Sequence, residues 1–343
     1  MEETSRHATQ RNGWAWCALS AVLFGAATPA TKLIVDNVGA VTLAGLLYLG
    51  AAAAVAPFAL REQRSTASLR QRSRLMIAVS LGGGLAPVLL VLALNRTPAG
   101  TVSLFLNLEL VATAVIARVF LQEHIGRRAG LGIVIVVLGG VVLAGASDAG
   151  VAVGALLVAA TCVCWGIDNA ITASLDSYTP SQITLAKGVV AGSVNLVLGL
   201  VLDGAPIARF VFAALAIGAV GYGLSITMWI TGARLVGAAR GQVIFALAPF
   251  IGALLAWPVN GDRLTSTTMI AFTVSLVGVV VVATSHHGHL HRHEAMEHAH
   301  PIDPDDPHHR SEAIEVLSGT QHRHLAVSHE HEHLPDIHHR HIH

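Results

Sequence analysis

Residues Ala99 to Leu121, AGTVSLFLNLELVATAVIARVFL, and residues Ala238 to Trp257, AARGQVIFALAPFIGALLAW, decide the fold. Each is long and apolar enough for a membrane helix, which needs about 20 predominantly apolar residues. They lie at an offset of about 140 residues, and at that offset the chain repeats itself. Phe24-Gly25 returns as Trp165-Gly166, Gly13 as Gly154, Glu123 as Asp262 and Gly139 as Gly278.

Working outward from this pair, comparable apolar segments run from Trp14 to Val35, Val41 to Leu60, Leu75 to Leu94 and Ala129 to Ala146 in the first copy. In the second copy they run from Val151 to Leu175, Ser181 to Leu202, Phe210 to Ile230 and Met269 to Thr284. Each copy therefore has five spans. An odd number turns the second copy upside down relative to the first, an arrangement typical of secondary transporters. The expected fold is an all-α integral membrane protein of ten transmembrane helices in two inverted five-helix repeats, with a disordered His-rich C-terminal tail. The expected divisions are a cytoplasmic N-terminus (1–12), a first repeat (13–146), a second repeat (151–284) and the tail (285–343).

Composition agrees. Hydrophobic residues are 53% of the chain and charged residues 12%, with a mean hydropathy of +0.61, whereas soluble domains carry roughly 25% charged residues. A body with so little charge cannot cover a water-facing surface. The first span holds Pro29 and Lys32 and belongs to the repeat, so it does not read as a cleaved signal peptide.

Orientation follows from basic residues, which stay on the cytoplasmic side. With the N-terminus inside, Arg6, Arg11, Arg61, Arg64, Arg70, Arg72, Arg74, Arg127, Arg128, Arg234 and Arg240 are cytoplasmic, against Arg96, Arg209 and Arg263 outside. Both termini are expected in the cytoplasm, and the membrane is expected to be the plasma (inner) membrane.

The formal net charge of zero hides two materials. Residues 286–343 hold four Arg against ten Asp and Glu, a tail of −6 that leaves the body at +6. That tail also holds 18 of the 20 histidines and few large apolar residues, a composition that does not bury enough surface to fold alone.

Several function classes find no support. Cys17, Cys162 and Cys164 fall inside spans, and Cys162 and Cys164 point to different helix faces, which suits neither a disulfide nor a redox pair. Phosphate-binding loops and catalytic triads are missing, and Gly82-Gly83-Gly84 lies in an apolar run, where close helix packing explains it. No enzyme activity is expected.

Ionisable residues inside spans carry the chemistry, because a charge in hydrocarbon needs a cavity or a partner. They are Lys32, Glu109, Arg118, Asp168 and Lys187. Glu109, in Leu106-Asn107-Leu108-Glu109, is farthest from either surface; a carboxylate there exchanges protons, holds a substrate ammonium, or only bonds helices together. Asp168, in Trp165-Gly166-Ile167-Asp168-Asn169, and Lys187 fall at similar depth on consecutive antiparallel helices. An ion pair is expected between them, either as structural neutralisation or as a substrate gate. Lys32 lies near the outer end of the first span; Arg118, near the inner end of the fourth, reads as snorkelling. The pathway or gating set is thus Glu109, Asp168, Asn169, Lys187, Lys32, Asn107 and Trp165. Pro29, Pro87 and Pro249 are expected to interrupt the first, third and ninth spans and so to mark a central cavity.

With these residues in place, the chain resembles the EamA-type branch of the drug/metabolite transporter superfamily over residues 13–284. The resemblance rests on Phe24-Gly25 with Pro29 and Lys32, on Thr97-Pro98-Ala99-Gly100, and on Glu123. In the second copy it rests on Trp165-Gly166, Leu247-Ala248-Pro249 and Gly261-Asp262-Arg263, where such proteins often have Gly-Glu-Arg. Glu109 departs from the pattern, standing where the family more usually has Pro, while across this chain's own repeat it is Leu110 that faces Pro249. The family implies alternating-access carriers, many of them exporters of amino acids, metabolites or toxic compounds, with a cavity between the halves.

In the tail, His289, His291 and His293 alternate, as do His329, His331 and His333, then His339, His341 and His343. Residues two apart share a face of an extended chain, and imidazole clusters suit Zn, Ni, Co or Cu. Such a tail buffers metal, senses it or delivers it to the pore. The leading expectation is a carrier of a small organic solute, an exporter that requires no cofactor. The competing ones are a divalent-metal efflux protein and a non-transporting metal-responsive sensor. The partners implied are membrane lipid, a small-molecule solute and a second copy of the chain, with no nucleic acid.

Overall fold

The structure is a computed structural model that describes residues 2–63, 67–120, 126–145, 149–172, 174–175, 177–236 and 238–284 of the body. In the tail it describes 288–293, 296–299, 314–318, 321–324 and 327–332. The chain divides into two units, Met1–Thr284 and Ser285–His343.

Among its described residues the first unit contains ten helices long and apolar enough to cross a membrane. They are Asn12–Lys32, Ala40–Ala59, Leu69–Arg96, Ala99–Ile116, Arg127–Gly145, Gly150–Thr172, Pro180–Leu202, Ala208–Ala233, Val243–Asn260 and Ser266–Ala283. Large aliphatic side chains such as Leu131, Val141, Leu156, Val201 and Leu202 face outward, and polar ones such as Asn107, Asp168 and Lys187 are buried. This is the reverse of a water-soluble surface.

Two local irregularities recur from half to half, while a third, the π-helical stretch Lys187–Ala191 of the seventh span, has no counterpart in the second. A π-helical stretch, Val79–Leu85, in the third span returns as Gly218–Leu224 in the eighth. The fourth span is two helices, Ala99–Phe105 and Leu108–Phe120, and the ninth is likewise two, Ala238–Phe245 and Ala248–Asn260. Helix packing follows the same exchange. The first span packs on the eighth and ninth, as the sixth does on the third and fourth. The second packs on the seventh, the fourth on the ninth and the fifth on the tenth, each on its own counterpart. Interchanging the halves leaves this scheme unchanged.

Small residues allow the closest approaches, because lipid gives helices no hydrophobic reason to associate and van der Waals contact must do so. In the fifth and tenth spans, a Cβ on Gly132 would lie 2.8 Å from the Gly278 carbonyl oxygen, and one on Gly139 would lie 2.3 Å from Ser275 Oγ. The anchors Gly139 and Gly278 thus sit in one helix pair.

The prolines act unequally. Pro249 opens the helix after the break in the ninth span, and Pro87 opens the helix that follows Val79–Leu85. Pro29 does not interrupt the first span, which continues through it to Lys32. It lies in the last turn, where the helix ends three residues later in any case.

The break in the fourth span leaves a short helix whose N-terminus needs an acceptor. Its N-cap, Pro98, offers no side-chain oxygen, and Asp262 from the other half accepts from the Gly100 N–H at 2.7 Å. We expect Asp262→Ala to cost about 1 kcal/mol and Asp262→Asn, which keeps an acceptor, to cost less, as read from thermal melting in detergent. Equal losses would remove the cap from the explanation.

In the second unit, β1 (Gly288–His293) pairs antiparallel with β5 (Val327–Glu332), while β4 (Gln321–His324) lies between β2 (Met296–Ala299) and β3 (Ile314–Ser318). Their alternating sequence matches the period of a strand, and pairing satisfies backbone groups without an apolar core. His333, His339, His341 and His343 lie outside the described residues.

Candidate functional site

The site is built on the break in the fourth span. Here the helix tightens to i−3 bonds: Asn107 N–H donates to the Leu104 carbonyl at 3.2 Å and Glu109 N–H to that of Leu106 at 2.9 Å. Asn107 Nδ2 also donates to the Leu104 carbonyl, at 2.9 Å. A short amide side chain competing for a backbone acceptor in this way disfavours continuous helix. Leu247 N–H donates to Ile244 in the same i−3 manner across the ninth span, where Pro249 has no N–H to give.

The break sets Glu109 in the first turn of Leu108–Phe120, where unpaired N–H groups and the helix dipole favour a carboxylate. Glu109 Oε1 accepts from Asn169 Nδ2 at 2.9 Å. A cavity of about 20 Å³ opens between the two breaks, lined by Asn107, Glu109, Leu110, Phe245, Pro249 and Phe24 among others. That is room for about one water molecule.

One residue along the sixth span, Asp168 meets Lys187 Nζ at 2.7 Å. Thr172 Oγ1 donates to Asp168 Oδ1 at 3.1 Å and lies 3.4 Å from Lys187 Nζ. Both charged residues are buried, at 5% and 4% exposure. Asp168 and Asn169 therefore tie the fourth-span carboxylate to the seventh-span lysine through one helix.

Gly82 explains how the carboxylate fits. A Cβ at this position would lie 2.1 Å from Asp168 Oδ2, so the missing side chain is the space that Asp168 occupies. The Gly82 carbonyl accepts from Tyr48 Oη at 2.7 Å and from Trp165 Nε1 at 3.2 Å, and that of Gly84 accepts from Asn195 Nδ2 at 3.0 Å. Side chains from three other spans thus take up carbonyls of the π-helical stretch.

An aromatic layer closes the centre. Phe24 packs edge-on against Trp165, its own counterpart in the repeat, at 5.6 Å, and against Tyr222 at 5.7 Å. It lies 5.2 Å from Phe245. The glycines that follow the counterparts pack equivalently: Gly25 against the Ala248 carbonyl of the ninth span, and Gly166 against the Ala112 and Thr113 backbone of the fourth.

The structure thus brings together Asn107, Glu109, Trp165, Asp168, Asn169 and Lys187. It leaves Lys32 apart, with Nζ on the Leu94 carbonyl at 2.5 Å at the far end of the third span. Arg118 is exposed. Tyr48, Thr172, Phe24 and Phe245 belong to the centre and escaped sequence reasoning, which looked for charge; only the pairing of Phe24 with Trp165 in the repeat pointed to one of them.

A bundle of ten apolar helices that turns aliphatic side chains outward and keeps charges inside is an integral membrane protein. The chain belongs to the EamA-like transporter family, whose model matches residues 11–145 and again 152–284. The protein is a membrane transporter. A curated relative from Methanothermobacter thermautotrophicus, named "Uncharacterized transporter", is 24% identical over 303 residues, covering 80% of this chain and 88% of the relative. A protein of known crystal structure shares the fold at 18% identity and a TM-score of 0.57, over 81% of this chain and 98% of its own.

Proposed function

We propose that the chain is a secondary carrier that moves a small organic solute across the inner membrane by alternating access, in the outward direction, with both termini in the cytoplasm. The observation that carries this reading is the recurrence of the breaks at equivalent places in the two halves, with a cavity between them. Five spans per half make the halves inverted copies. Inverted copies can exchange conformations, and the exchange would move access from one face to the other. A cavity of about 20 Å³ does not hold an organic solute, so loading requires the halves to part. The interrupted fourth and ninth spans supply hinges at the cavity wall.

The test is purified protein in proteoliposomes, loaded in turn with amino acids, amines and other metabolites and driven by a proton gradient or by counterflow. Saturable solute movement is expected, and Glu109→Gln is expected to abolish solute-driven proton movement. Absence of movement for every solute under both driving forces would overturn the reading.

A second reading concerns the tail. In the β1–β5 ladder His289 stands opposite His331, and His291 opposite His329. That register supports binding of Zn, Ni, Co or Cu by the tail, as a buffer or regulator of the carrier. Adding Ni²⁺ to the same vesicles, with the full chain and with a chain ending at Ser285, tests it: modulation confined to the full chain supports the reading, and identical responses remove it.

A further inference from the structure

On its polar side the cavity is lined by Asn107 and Glu109. Asn107 is 3% exposed; its Nδ2 donates one N–H to the Leu104 carbonyl, and its Oδ1 has no partner. Asn169 Nδ2 donates to Glu109 Oε1. The buried ammonium of Lys187 is engaged by Asp168 and Thr172. The remaining lining is apolar or aromatic, including Phe24 and Phe245, whose rings lie 5.2 Å apart.

An orphan buried acceptor beside a carboxylate is expensive, and the cost falls away when a donor arrives, most of all one with positive charge. Ring faces add to the attraction of a cation. A space of about 20 Å³ accepts one water-sized group, which an ammonium headgroup is and a whole solute is not.

We propose that Asn107 Oδ1 and the Glu109 carboxylate, flanked by Phe24 and Phe245, form the subsite for a positively charged group, so that the cargo class is a cation. This inference rests on the carrier reading above. One carboxylate and one amide oxygen between two aromatic rings suit an organic ammonium rather than a metal ion, which needs several convergent ligands.

Calorimetric titration of the full chain in detergent tests this, with methylammonium and n-butylammonium as cationic probes and n-butanol and butyrate as controls. Binding of an ammonium probe is expected, with at least about a tenfold loss in Glu109→Gln, the scale for a hydrogen bond to a charged group. Asn169 can still donate to the new amide oxygen, so the variant keeps its helix contact. Asn107→Asp adds a negative charge and is expected to tighten cation binding, whereas a purely structural asparagine would predict weaker binding.

Binding of butanol or butyrate in place of the ammonium probes, no ammonium binding, or ammonium binding indifferent to Glu109 and Asn107 overturns the proposal. Titration needs no transport, so the two readings fail separately. Glu109-dependent binding without movement in vesicles sinks the carrier, and movement of neutral solutes that ignores Glu109 sinks the subsite.

Discussion

Asp168→Ala destabilises the protein by about 3–5 kcal/mol, the cost of leaving a buried charge without its partner. Lys187 Nζ, 2.7 Å from the Asp168 carboxylate, would keep only a 3.4 Å contact with Thr172, in a place where the residue is 4% exposed. Lys187→Ala leaves the carboxylate behind in the same way and is expected to cost a similar amount. Both charges removed together should cost far less, because the desolvation penalty leaves with them. Asp168→Leu with Lys187→Met, close in shape, is therefore expected to melt near the parent protein. The five tryptophans report unfolding in detergent. A double variant as unstable as the sum of the single ones would show that the pair is not a coupled unit.

The same double variant separates the two roles open to the pair. If it is stable and carries solute at the parent rate, the pair only neutralises itself. If it is stable and inactive, the pair gates. Because Gly82 leaves room for the carboxylate and holds Tyr48 and Trp165 by its carbonyl, a change at Asp168 reaches three spans at once. That makes the activity measurement informative even where stability is restored.

The ten spans were legible in the sequence because length and apolarity fix them, and the observed helices begin and end within a few residues of the apolar runs. The Asp168 to Lys187 pair was legible too, from equal depth on consecutive antiparallel helices. The break in the fourth span was not. Its counterpart in the ninth is signalled by Pro249, but the fourth span has Leu110 at that place, and the signal is instead an asparagine that bonds its own backbone. A buried asparagine in a membrane helix reads first as glue between helices. The π-helical stretches were half-visible: Gly82-Gly83-Gly84 suggested a loosened helix, yet nothing in Gly218 to Leu224 distinguished it from other glycine-rich packing. Polar contacts across the repeat, such as Asp262 on Gly100, depend on tertiary placement that one sequence does not contain.

Gly218→Ala is expected to lower stability by about 1–3 kcal/mol or more, the range for inserting a methyl group where there is no space. A Cβ at Gly218 would lie 1.9 Å from the Leu47 carbonyl oxygen and 2.6 Å from the carbonyl carbon. The approach is mutual, since a Cβ on Gly50 would lie 2.1 Å from the Leu215 carbonyl oxygen. The second and eighth spans thus touch backbone to backbone, and no rotamer change relieves the clash. Shortening the partner side chain by Leu47→Ala is accordingly expected to give no rescue; rescue would mean that side chains and not main chains set the spacing. Gly140 provides the contrast, because its Cβ would meet only Leu108 and Phe105 at 3.9 and 4.0 Å. Gly140→Ala, in a helix interior, should be neutral or stabilising by up to about 1 kcal/mol. Parting the second span from the eighth would also draw Tyr48 away from the Gly82 carbonyl and from Tyr222, now 5.6 Å off. Transport should therefore fall in Gly218→Ala beyond what lost folded protein explains, and solute flux normalised to folded protein measures that difference.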